Sequence, residues 1–343
     1  MKDARNNSLV LQTTRCILKP TRSAKLSLIL AKIGAKNLTT DKISLKRDLK
    51  MKKDEFLAKK CVLDFKHFLV NTLPRLRVDL KIKRSSKVPG GVNTSVLGLP
   101  EVLHEYRWNS GYIAASGAKE TASDWLSTKR LLTELSSNLK LACASGNDDE
   151  AQKAATQILQ WGGDRNKKVG ATIDIQNLVL KNQLTSYLDE TKSIFKGHNL
   201  EPELLKQVRY TGSMWTKIYA LNSDDALPIY DSRVAMGMVG LVNLFYKHQK
   251  IHPNGRENLL SFSVPVGTNW DRNKKNGIPL SGVSKINKDD AVWSRDTLKL
   301  SWIMDTVLDC SDLFSAQGDL ISRKHGFEAS LFLIGYDLKA ILH

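Results

Sequence analysis

The spacing of apolar and polar positions predicts a mainly α-helical chain. Over "MKKDEFLAKKCVLDFKHFLVNTL" (51–73), Phe56, Leu57, Val62, Phe65, Leu69 and Leu73 fall near helical spacing with lysines on the other side, and Pro74 stops the helix. The period drops to two in "RVDLKIK" (77–83), a short strand or extended arm, and a Ser/Pro/Gly linker follows. Helical spacing returns in "ETASDWLSTKRLLTELSSNLKLACAS" (120–145), opened by a Ser/Asp cap, in "DDEAQKAATQILQW" (148–161) and in "IDIQNLVLKNQLTSYLDETKSIF" (173–195). "EPELLKQVRYTGSMWTKIYAL" (201–221) reads as helix, tight turn at "YTGS", helix. A long apolar helix, "VAMGMVGLVNLFYKH" (234–248), follows "PIYDSR", and two more close the chain in "AVWSRDTLKLSWIMDTVL" (291–308) and "RKHGFEASLFLIGYDLKAIL" (323–342). "SVPVGTNWDRNKKNGIPLSG" (263–282) is too rich in Gly, Pro and Asn for an element and reads as a long loop, a feature that often carries function. The change of character near residue 97 predicts two parts: a basic, mostly helical region over 1–97 and a helical domain over 98–343.

Charge sharpens that division. Of the net +17, residues 1–100 hold 23 Lys and Arg against 7 Asp and Glu, while the remaining 243 residues hold 29 against 28. The excess is therefore concentrated at one end, which suits a polyanion such as nucleic acid or an anionic membrane surface. With 41% hydrophobic residues and no run of about 18 apolar ones, nothing is expected to span a bilayer. The apolar stretch "LSLILAKIGAK" (26–36) is interrupted by Lys32 and continues into more lysine, so it reads as an amphipathic helix rather than a secretion signal.

Cys16, Cys61, Cys143 and Cys310 are scattered without a CxxC, the pattern of reduced thiols in a cytoplasmic protein and not of a zinc or iron–sulfur site. His248 and His252 share the i, i+4 spacing of metal ligands, but no Glu follows the first and Pro253 follows the second, so no metal and no cofactor are expected.

Candidate chemistry concentrates between residues 212 and 234. Gly212 suits a left-handed or close-packed turn position, and Ser213 a cap of the next helix; such a hairpin presents backbone N–H groups to a phosphate without reading bases. In "PIYDSRVA" (228–235), Asp231 sits where a helix begins. As a pure N-cap it would leave Arg233 in solvent; as a functional group it is a carboxylate held ionised by the helix dipole.

The tandem of Gly212 in a hairpin, Lys217 in "WTKIYAL" and Asp231 in "PIYDSRV" resembles the helix–hairpin–helix DNA glycosylases, whose later helix opens in a P-[VI]-D-x-[HR]-V context. With "ILQWGG" (158–163) and "WSRDTLKLSW" (293–302), the likeness is to the bacterial 8-oxoguanine-glycosylase-like branch and covers roughly residues 100–343. Two features depart from the pattern: the spacing from Lys217 to Asp231 is 14 positions, several fewer than usual, and the G-[VI]-G triplet is missing.

The resemblance implies a monomeric enzyme that takes a modified base out of double-stranded DNA and breaks its N-glycosidic bond. Activities in this family include removal of 8-oxoguanine and, in bacteria, of glucosylated hydroxymethylcytosine from phage DNA as a defence. Asp231 would stabilise the cationic sugar; Lys217 would either attack it, adding lyase activity, or contact a phosphate. Gly212, Ser213 and Arg233 would lie along the DNA, with Arg272, Lys274 and Lys275 of the long loop reaching phosphates. Trp293 and Trp161 are the candidates for stacking on the extruded base.

Two other classes compete. A non-catalytic DNA-binding protein would use the hairpin and basic segment as clamps. A tyrosine recombinase is suggested by "RKHGF" and Tyr336 but lacks the His-x-x-Arg pair.

Overall fold

A computed structural model of the chain describes residues 51–164, 169–250, 258–265, 268–278, 285–286 and 290–342, all of which belong to one unit. The amphipathic helix expected over 26–36, Cys16 and His252 lie outside the described residues.

As expected, the unit is mainly helical. The first predicted helix is two, α1 (Lys53–Leu57) and α2 (Lys60–Thr72), because Lys59 between them is extended. Phe56, Val62, Phe65, Leu69 and Leu73 are buried, as the spacing requires. The alternating stretch is no free arm: β1 (Arg77–Ile82) pairs antiparallel with β2 (Val92–Leu97), from Arg77 opposite Leu97 to Ile82 opposite Val92. Val78, Leu80 and Ile82 face inward.

A second antiparallel hairpin, β3 (Arg107–Ile113) and β4 (Lys119–Asp124), takes the place of the first residues of a predicted helix. That helix, α3 (Trp125–Ala144), starts where Asp124 Oδ1 accepts the Ser127 N–H at 2.8 Å. Next, α4 (Asp148–Gly162) is capped by Asn147 and ends on left-handed Gly163. The predicted helix over 173–195 is split at left-handed Asn182 into α5 (Ala171–Val179) and α6 (Leu184–Lys196), and the Asp148 carboxylate accepts the Leu184 and Thr185 N–H groups that open α6.

Beyond the single turn α7 (Pro202–Leu205) come α8 (Trp215–Asn222) and α9 (Ser232–Gln249). The two-residue strands β5 (Val264–Pro265) and β6 (Lys285–Ile286) pair in parallel. Between them lies α10 (Thr268–Lys275), so part of the expected loop is a helix. Asn273 explains this: its amide donates to the Asn269 carbonyl one turn earlier, and its Oδ1 accepts the Leu338 N–H, ending polar groups that a loop would leave in solvent. The chain ends in α11 (Asp290–Asp309) and α12 (Leu320–Ile334).

The boundary expected at residue 97 is not a break in the packing. Phe65 and Phe68 of α2 meet Phe245 of α9 at 5.3 and 5.4 Å between ring centroids, and Phe56 meets Trp302 of α11 at 5.7 Å. Residues 51–97 thus share one hydrophobic core with the later helices. Lys52, Lys59, Lys60, Lys81 and Lys83 of the segment are exposed while its apolar positions enter that core.

The crossing of α9 and α12 positions the site described next. Gly237 lies against the Leu331 carbonyl and Gly335 against the Arg233 carbonyl, approaches so close that a Cβ at either would collide with backbone. The two helices therefore bring the mouth of α9 beside Glu328, Ala329 and Phe332 of α12.

Candidate active site

A cavity of about 240 Å³ opens at the mouth of α9. Lys217, Asp231, Arg233, Ser213 and Trp161, all singled out in the sequence, line it together. The rest of its wall includes Tyr106 and Trp108 around the start of β3, Trp125 and Thr128 of α3, and His325, Glu328 and Phe332 of α12.

Asp231 is the N-cap of α9. Its Oδ1 accepts the N–H groups of Arg233 at 2.9 Å and Val234 at 3.0 Å. Oδ2 has no hydrogen-bond partner among the described residues. One oxygen thus fixes the helix start and leaves the other unengaged, so capping does not preclude a further role for this carboxylate.

Lys217, in the first turn of α8, is buried. Its Nζ donates to the Ser213 carbonyl at 2.7 Å. Burial pushes the ammonium below its ordinary lysine value; the Asp231 and Glu328 carboxylates pull in the other direction, and the Arg233 guanidinium adds to the fall. Room for the side chain comes from α4: a Cβ at Gly162 would stand 2.7 Å from Lys217 Cδ and 3.0 Å from Cε. The glycine pair of "ILQWGG" therefore has two different tasks, Gly162 admitting the lysine and Gly163 turning the chain at φ 80°.

Arg233 is not in solvent. Its guanidinium carbon lies 4.2 Å from the Trp108 ring centroid, 4.7 Å from Phe332 and 5.1 Å from Tyr336. Burial lowers its pKa, and the neighbouring Asp231 opposes that shift. It makes no ion pair among the described residues, so its charge is held by aromatic faces and remains available to an anion.

The hairpin differs from expectation. Its first helix is only the turn Pro202–Leu205, and residues 206–214 run irregularly to α8. Gly212 has φ 121°, a left-handed-side conformation with open space around its α-carbon. Ser213 does not cap: α8 has no side-chain cap, and it is the backbone carbonyl of Ser213 that works, accepting from Lys217.

Other candidates fall elsewhere. Trp293 does not line this cavity; it is buried beside Thr216, Pro228 and Thr297, walls of a void of about 10 Å³. Arg272 is tied inward, donating to the Tyr336 carbonyl at 3.1 Å and lying 3.8 Å from the Tyr336 ring centroid. Lys274 and Lys275 are exposed on α10. Tyr336, the candidate recombinase nucleophile, thus has its ring against two guanidiniums. His248 packs on Phe68 at 5.4 Å, and no group of metal-ligating side chains occurs among the described residues. None of the described helices is long and apolar enough to cross a membrane.

Sequence reasoning missed Tyr106, Trp108, His325, Glu328 and Gly162 as parts of one site. Comparison with family models, with curated proteins and with solved structures finds no match for the chain.

Proposed function

We propose that the protein is a DNA glycosylase of the helix–hairpin–helix kind, which receives an extruded base in the aromatic cavity and breaks its bond to deoxyribose. The observation that carries the reading is the meeting of a buried Lys217, its pKa lowered, with a carboxylate at a helix N-terminus on the wall of one cavity.

As the N-glycosidic bond lengthens, positive charge grows on the sugar. The Asp231 carboxylate, fixed in advance by its two capping hydrogen bonds, stabilises that charge without reorganising. Lys217 in its neutral form attacks C1′ with its lone pair while the bonding electrons leave with the base. One proton of the resulting ammonium goes to the departing base; the other goes to O4′ as the C1′–O4′ bond breaks and the sugar ring opens, leaving a Schiff base between Nζ and C1′. Lowering of the lysine pKa by burial raises the fraction of neutral amine, which favours this route over water as nucleophile. Arg233 supplies positive charge for a phosphate flanking the extruded nucleotide, and the basic residues before 51 add sequence-independent attraction for the duplex.

The test is incubation with phage DNA carrying glucosylated hydroxymethylcytosine and with duplexes carrying 8-oxoguanine, scoring released base and abasic sites. Borohydride should trap a covalent DNA adduct with the wild type and none with Lys217→Ala. Asp231→Asn should bind the duplex and release no base. DNA binding without release from either substrate would instead leave a non-catalytic DNA-binding protein.

A further inference from the structure

The cavity contains a second carboxylate that the bond-breaking chemistry does not use. Glu328, on α12, is buried, and what it touches is confined to one of its oxygens. Oε2 accepts the Ile229 N–H at 3.0 Å and lies 3.7 Å from His325 Nδ1. Oε1 has no hydrogen-bond partner among the described residues. The Ile229 contact bridges α12 to the segment just before Asp231, so the carboxylate is fixed in place rather than adaptable.

The rest of the wall is aromatic. Trp161 is only 9% exposed and its Nε1 is shut off from the cavity, so it offers a ring and no donor. Trp125 does the same: its indole N–H donates to Gln317 Oε1 at 2.7 Å, leaving a ring with nothing further to offer. A cavity lined by Tyr106, Trp108, Trp125 and Phe332 suits a flat ring, and the free Glu328 oxygen on its wall suits a donor on that ring.

Resting on the glycosylase reading for the origin of that ring, we propose that Glu328 is a specificity-determining residue that selects bases bearing an exocyclic amino group. One free carboxylate oxygen matches an exocyclic amino group on the ring edge, as cytosine and adenine present it. Uracil and hypoxanthine place a carbonyl where the amino group stood, and its lone pairs would face the Glu328 anion. Each such correctly paired edge is worth roughly 1–3 kcal/mol of discrimination, so about tenfold between members of a pair.

The experiment uses the full chain and free nucleosides, followed by quenching of intrinsic tryptophan fluorescence. Wild type should bind deoxycytidine about tenfold more tightly than deoxyuridine, and deoxyadenosine more tightly than deoxyinosine. Glu328→Gln keeps an acceptor for the Ile229 N–H and gains an amide that can donate to a carbonyl, so the preference should vanish or reverse. Retention of the wild-type ranking by Glu328→Gln, equal binding of both members by the wild type, or no nucleoside binding at all would each overturn the assignment. Failure of the glycosylase reading would appear separately, as nucleoside selectivity without base release from any duplex.

Discussion

Two buried lysines in this chain are held in opposite ways. Lys324 of α12 has its Nζ 2.6 Å from Asp305 Oδ1, 2.6 Å from the Asp225 carbonyl and 3.0 Å from Ser301 Oγ, and Lys53 meets the other oxygen of Asp305 at 2.9 Å. Lys217 has one hydrogen bond, to the Ser213 carbonyl, and beyond it a cavity. Burial lowers both ammonium pKa values. At Lys324 the cost of burial is offset by an ion pair and two further acceptors, the arrangement of a structural cation that ties α1, α11 and α12 together. At Lys217 the carboxylates act at a distance, and the amine is left with a face toward open space. On the proposed reading, depth of burial does not mark a reactive lysine; incomplete local compensation beside a cavity does.

Removing Lys217 sharpens the contrast most. Lys217→Ala should abolish the borohydride adduct and lower base release by ~10³-fold, the scale of losing a group engaged in the transition state, while urea unfolding stays near wild type. The pH dependence of trapping should follow: adduct formation rises with pH and levels off below the ordinary lysine value, because the neutral amine attacks and burial favours it. A plateau only at the ordinary value would show an exposed amine. Lys324→Ala should behave in reverse. Stability falls by ~3 kcal/mol, read from the urea midpoint, because Asp305 loses its most buried partner, and any excision per folded molecule is retained.

A third lysine extends the comparison to pH. Lys299 lies 3.7 Å from Asp296 and donates to the Ser261 carbonyl at 2.6 Å, yet burial brings its pKa down to about 8. The unfolded chain holds that proton up to ~10.4. Below pH 8 both states carry it and stability does not vary on its account; from there upward the folded form releases it first. Stability therefore rises with pH across this window, by up to about 3 kcal/mol in total. Lys299→Met, compared with wild type by urea unfolding at pH 7 and pH 10, should lose this rise.

How legible all this was differs by residue. Asp231 was readable because an N-cap is a local event: a carboxylate followed by an apolar helix fixes its geometry within three residues. Lys217 and Arg233 were found only through a resemblance in spacing, and their environments were not foreseen, since Gly162 and Trp108 reach them from distant parts of the chain. Glu328 gave no signal at all, because its partner Ile229 is 99 residues away. The hairpin Arg107–Asp124 escaped because its strands are mostly half-exposed and lack a clean apolar alternation. That Trp293 lies outside the cavity was illegible for the same reason: which tryptophan walls a cavity is decided by helix crossings such as Gly237 against Leu331, not by the neighbours of the tryptophan in sequence.

The smallest change that tests the contrast between the lysines leaves Lys217 itself intact. Gly162→Ala adds one methyl group to α4, at a position where it would lie 2.7 Å from Lys217 Cδ. Gly162 is the last residue of α4, where the preference of alanine over glycine is smaller than in a helix interior, so a purely structural reading expects little change in stability. The methyl nevertheless occupies the space that the lysine stem uses, so Nζ must move while the helix survives. Misplacement of a reacting atom by about 1 Å costs up to ~10²-fold. Adduct formation in Gly162→Ala should therefore slow by ten- to a hundredfold, with the melting temperature little changed, and unaltered trapping kinetics would show that the lysine is not held by that contact.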